Sequence, residues 1–221
     1  MKSYALSTAC LLLAASVAAA ADAPVRLDPM PGSKVRIEGT SSIHDWQVEG
    51  TLIGGFIEAG AGFPLDPGQA VPAGKVEARA VAFIPIKSLT SVEKDGKPYS
   101  THMDDIMYEK LLQSTTLRIT YRLQELVLKE SPKDTNAPYV FDSKGSLIVA
   151  GVTNTISMPV NITPLGARKV RITGTTTVKM TDFKIQPPAP AIAMGMIKTG
   201  DDVKLIFDWM VGQKAAPAAA K

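Results

Sequence analysis

The chain has 221 residues, 45% hydrophobic and 20% charged, with 24 Lys and Arg against 21 Asp and Glu, two histidines and one cysteine. Acids and bases are interspersed without runs of like charge, which argues against nucleic-acid binding, since that usually needs a concentrated basic face. One cysteine forms no intrachain disulfide, and two histidines beside it do not supply the ligand spacing of a zinc site.

Lys2 opens the chain with a positive charge, residues 4–21 are almost wholly apolar or small, and they end in Ala18-Ala19-Ala20-Ala21. That order predicts a cleavable signal peptide over residues 1–21 and a periplasmic or secreted mature protein. The apolar run approaches the ~20 residues of a helical membrane span. Its Ala-rich composition, the lack of a following positive cluster and the helix-breaking residues 22–31 favour cleavage over a retained anchor. Cys10 follows Ser7-Thr8-Ala9 and precedes most of the apolar run, unlike an acylated lipoprotein cysteine. Cleavage leaves a mature chain with 23 basic and 21 acidic residues and no cysteine, made of one domain over residues 22–213 and a frayed tail over 214–221.

Period-two alternation dominates that domain. Val76, Ala78, Ala80, Ala82, Ile84 and Ile86 share one parity, as do Leu117, Ile119, Tyr121 and Leu123. Val203, Leu205, Phe207, Trp209 and Val211 do the same near the end of the chain. One apolar and one polar face predict antiparallel strands half-buried on a core. Strands are expected over residues 34–39, 43–54, 75–86, 117–128, 146–150, 155–162, 169–179 and 203–211, about eight in all. A hairpin turn is expected at Gly151-Val152-Thr153-Asn154. Long strands of this number close a barrel wide enough to fill with side chains or to hold one small ligand. A sandwich with open edges fits the same pattern. From Ser100 to Gln113 the period changes: Met103, Ile106, Met107 and Leu111 recur at helical spacing, predicting a short helix at one barrel mouth.

Catalytic motifs do not emerge. No Gly-x-Ser-x-Gly, phosphate loop or dinucleotide fingerprint is present. His44 and Asp45 are adjacent, so a regular strand points them to opposite faces, and His44 reads as a structural hydrogen-bonding residue near a barrel end. A non-enzymatic role is expected, with no catalytic residues and no metal ligands.

Four stretches carry a resemblance to a known family. They are Ser41-Ser42-Ile43-His44-Asp45-Trp46 with Val48 and Gly50; Ile84-x-Ile86-x-Ser88-Leu89; His102-Met103 with Met107-Tyr108; and Gly145 to Val160 around Gly151-Val152-Thr153-Asn154, continuing to Met180-Thr181-Asp182-Phe183. In order and spacing the chain resembles the YceI-like, polyisoprenoid-binding family of exported bacterial proteins. The resemblance implies an all-β, antiparallel, eight-stranded lipocalin-like barrel whose interior takes a long isoprenoid lipid or quinone, polar end near the mouth. No other cofactor is implied. Met and aromatic side chains suit an irregular apolar tail. The expected ligand-binding residues are therefore Trp46, Phe56, Met103, Met107, Tyr108, Tyr121, Met158, Met180, Phe207 and Trp209. An apolar lipid is the expected partner, with membrane contact only transient during lipid exchange, and a homodimer is compatible with the sequence. A barrel with a filled core, acting as a periplasmic interaction or stress module, is the alternative.

Overall fold

A computed structural model describes residues 23–112, 114–189 and 197–214. The signal peptide expected over residues 1–21 lies outside the described residues, as does the tail beyond Lys214. The described segments are β1 (Val25–Pro29), β2 (Lys34–Ser41), β3 (Trp46–Gly50), β4 (Gly54–Ala59), β5 (Gly74–Lys75), β6 (Ala78–Pro85) and β7 (Thr90–Val92). Helix α1 (Thr101–Lys110) follows, then β8 (Arg118–Glu130), β9 (Tyr139–Val149), β10 (Val152–Gly166), β11 (Lys169–Lys179) and β12 (Thr199–Gly212).

These segments follow eight antiparallel strand paths that close on themselves. β1 and β2 form one path along β12, interrupted between Pro29 and Lys34. β3 and β4 form a second path, paired with β2 and β1 respectively. β5, β6 and β7 form the third: β5 and β6 pair with β8, β6 with β4, and β7 with β3. From β8 to β12 the strands simply meander. Closure removes the unpaired edges that an open sandwich would leave.

Alternation makes the inside. Phe141, Val170, Val211, Leu27 and Ile162 are almost fully buried, all on inward positions of their strands. The outer face carries cross-strand ion pairs such as Arg36–Glu49, Arg79–Glu58 and Arg171–Asp208. Exposed pairs of this kind contribute little stability, so they mark the wet side rather than hold the barrel. One end of the barrel is plugged by the loop after β4. Phe63 and Pro64 are buried there, and the Tyr139 hydroxyl donates to the Gln69 carbonyl at 2.6 Å.

The other end is built differently. β8 begins opposite Pro85, so the third path runs on past it as β7, paired with β3 on one side and with no strand on the β8 side. Helix α1 packs against β7 in that place. Ser100 caps it by accepting from the Met103 amide, Asp104 Oδ1 accepts from the Ser91 amide at 2.6 Å, and the Tyr108 hydroxyl donates to the Leu89 carbonyl at 2.8 Å. The helix is thus tied to β7 by polar contacts, and none of its residues is fully buried.

The expected strand over 43–54 is two strands broken at residues 51–53, and the expected hairpin turn lies one step earlier. Val149 pairs with Val152, leaving Ala150-Gly151 as a two-residue turn with positive φ at both positions. A second such turn, Ala167-Arg168, joins β10 to β11 with φ of 48° and 53°. Left-handed backbone costs L-residues roughly 1–2 kcal/mol each, and Asn-Gly is the favoured pair for this turn. Replacing Ala167-Arg168 by Asn-Gly is expected to stabilise the protein by about 1 kcal/mol, raising the melting temperature by ~2–4 °C. Thermal unfolding followed by circular dichroism checks it; an unchanged or lower midpoint contradicts it.

Candidate functional site

The inward face does not fill the barrel. A cavity of about 450 Å³ opens at the α1 end, and an inner chamber of about 110 Å³ lies deeper. Ile119, Leu147 and Leu205 line both, so the two spaces adjoin at that waist. The outer chamber is walled by the apolar side of α1 (Met103, Ile106, Met107 and Leu111) facing Ile37, Val48, Val178 and Val203 of the barrel. Polar groups stand among its lining: Asp45, Gln47, Glu93, Lys94, Lys110 and Lys179. Among the described residues, no charged side chain stands on the wall of the inner chamber.

Glycines in the strands make room for aromatic rings. The Trp46 indole lies over Gly39, where an added Cβ would stand 2.1 Å from ring atom Cζ2, and its Nε1 donates to the Thr40 carbonyl at 3.1 Å. Phe207 covers Gly174 in the same way at 2.5 Å. Tyr121 runs over Gly145, and its hydroxyl meets Ser143 Oγ at 2.6 Å inside the barrel. Burial pushes the Tyr121 phenol above its ordinary range, with the Ser143 hydrogen bond opposing, so the phenol stays protonated at neutral pH.

Of the ten expected residues, Trp46, Met103, Met107 and Met180 line the outer chamber, and Tyr121, Met158, Phe207 and Trp209 line the inner one. Phe56 and Tyr108 line neither. Phe56 sits on the outer face between Arg26 and Arg79, whose guanidinium carbons stand 4.4 and 5.2 Å from its ring centre. Its neighbours Ile57 and Ala59 are buried or inward in its place. Tyr108 is a strap, spending its hydroxyl on Leu89. His44 stands at the mouth, its Nδ1 2.8 Å from the Asp45 carbonyl and its Nε2 3.4 Å from the Tyr99 hydroxyl.

The aliphatic waist was not singled out by residue type. Leu205 shares parity with Phe207 and Trp209, and Leu147 with Val149, so strand parity marks them where residue chemistry does not.

Comparison with known proteins bears on this barrel. The YceI-like domain model matches residues 31–211. Among solved structures, Burkholderia cenocepacia BcnA superposes with a TM-score of 0.55 at 17% identity, covering 80% of this chain and 95% of BcnA. A polyisoprenoid binding domain from Saccharophagus degradans, implicated in plant cell wall breakdown, superposes with a TM-score of 0.62 at 13% identity, covering 86% of this chain and 99% of that domain. No curated protein matches the sequence. At such identities the structural likeness establishes the shared fold, and the family match spans most of the chain. The chain belongs to the YceI-like family.

Proposed function

We propose that this protein is an exported, non-catalytic binding protein that holds an apolar, isoprenoid-like lipid in the barrel, for sequestration or transport. The observation that carries the reading is the adjoining pair of chambers, almost wholly apolar at depth and with charged side chains only at the mouth among the described residues. The outer chamber alone falls within the range of volumes that hold small molecules. Burying apolar ligand surface there contributes roughly 25 cal/mol per Å² removed from water. The Saccharophagus degradans relative named as a polyisoprenoid binding domain supports an isoprenoid as the lipid class. Export rests on the signal-like residues 1–21. A filled-core interaction module does not need this space.

Helix α1 supplies the test. Met107 is half-buried, lining the outer chamber from the helix and packed against the edge of the core. Met107→Asp places a carboxylate on an apolar wall that the tail must cover, and a charge desolvated without a partner is expensive. The expected result is affinity for farnesol weakened at least about tenfold, with the melting temperature lowered by less than ~4 °C. Quenching of intrinsic tryptophan fluorescence measures the first and circular dichroism the second. Comparable losses of folding and binding would make Met107 ordinary core and remove the mouth from the site.

A further inference from the structure

The inner chamber ends on a side chain that no strand supplies. Ile162, Ile172 and Trp209 are neighbours across β10, β11 and β12, and they line the chamber. Further from the mouth, Val170 and Val211 are paired, fully buried, and line neither chamber. The tube is blind at this end. Phe63 stands on the chamber wall here, 2% exposed, and comes from the loop after β4. Gln69 fixes that loop: its Nε2 donates to the Phe63 carbonyl at 3.0 Å, and its Oε1 accepts from the Leu65 amide at 2.9 Å. The Gln69 carbonyl is anchored in turn by the hydroxyl of Tyr139, the strand partner of Ile162. On the other side of Phe63 the Gly60 amide donates to the Glu77 carbonyl at 2.9 Å. A loop tied at these points holds the ring as a fixed wall.

We propose that Phe63 is the stop that sets how much of an isoprenoid tail the barrel takes in, so that the site selects its lipid by chain length. The proposal rests on the lipid-binding reading of the barrel and adds the residue that determines its specificity. Among the described residues, charged side chains line the outer chamber and none lines the inner one. The polar end of a lipid therefore stays at the mouth, and its tail reaches Phe63. A chain too short for the tube leaves the inner chamber empty and forgoes the contacts there. A chain too long leaves apolar units outside, in water. One length between these fills the space up to the ring. Because the stop sits on a loop, replacing it changes the depth without altering a strand. Phe63→Ala removes the phenyl ring, and an apolar cavity left in this way stays dry and takes apolar guests. The space gained suits about one more isoprene unit, whose five carbons roughly match the ring's six.

The test uses the whole protein, stripped of lipid, with an equimolar mixture of isoprenoid alcohols from farnesol to solanesol in one detergent. Native mass spectrometry reads which lengths are bound. Each variant meets the same mixture, so differences between variants come from the barrel. The wild-type protein is expected to favour one length. In Phe63→Ala the next longer alcohol should gain at least about tenfold in occupancy relative to that length. Phe63→Leu keeps an apolar side chain in the loop and should shift the ratio the same way, by at least about threefold. It decides should Phe63→Ala fail to fold, with circular dichroism as the check. Equal occupancy by all lengths, or unchanged ratios in a folded variant, would overturn the proposal and leave the lipid-binding reading standing. A wild-type protein that binds none of these alcohols would overturn both.

Discussion

Leu205→Trp is expected to weaken binding of a long isoprenoid about a hundredfold while leaving the barrel folded. Leu205 lines both chambers and is itself only half-buried, because part of its surface faces the cavity rather than packed neighbours. An indole there grows into existing space at the waist. Overpacking a tight core costs typically ~1–3 kcal/mol, and free volume at the site reduces that strain. The ligand loses the inner chamber instead. Excluding three or four methylenes from burial, at ~0.8 kcal/mol each, forfeits about 3 kcal/mol, which is roughly a hundredfold in affinity. Titration with solanesol in detergent, beside thermal unfolding of the unliganded variant, separates the two effects. Unchanged affinity would mean that the tail never passes the waist.

Gly55→Ala is expected to have the largest effect on folding. Gly55 has φ +123°, a backbone region that side chains rarely adopt. A Cβ there would stand 1.8 Å from the Val81 carbonyl oxygen, a backbone atom of the paired strand β6. Neither problem is relieved by a side chain moving aside. β4 joins β1 to β6, so separating it from β6 opens the ring. Strain of ~1–3 kcal/mol for the backbone, together with lost pairing, predicts destabilisation of roughly 3–5 kcal/mol. Urea unfolding measures it. A loss below about 1 kcal/mol would show that the β4–β6 junction yields easily, and would contradict this account of closure.

Much of the barrel was legible because its strands obey a simple rule. β11 follows the alternation of Val170 and Ile172 from Lys169 to Lys179, as expected from sequence. Helix α1 followed from the switch to helical spacing at Met103, Ile106 and Met107. The misses have physical reasons. β1 (Val25–Pro29) carries too few apolar residues to declare itself and becomes a strand by pairing with β4 and β12. The first half of β9 was missed because Ser143 and Gly145 occupy inward positions. Both are there for Tyr121: one binds its hydroxyl and the other leaves room for its ring. Sequence reading treats such residues as turn formers, because the partner that needs them is on another strand.

The lining of the chambers was legible in part. Selecting Met and aromatic residues by type gathered eight that line the chambers, and also two that do not: Phe56, which its parity opposite to buried Ile57 places on the outside, and Tyr108, which is tied to Leu89. It passed over Ile119, Leu147 and Leu205, the aliphatic residues that join the two spaces. Nor does sequence show that the Trp209 N–H finds no acceptor among the described residues, since that depends on what every other strand brings near it.

Native mass spectrometry of the protein purified from its own host shows whether the barrel carries an apolar chain. The expected mass exceeds that of the polypeptide by one isoprenoid-like molecule, released on denaturation and recovered in organic solvent. A spectrum showing only the bare polypeptide, unchanged after incubation with farnesylacetone and with solanesol, would contradict it.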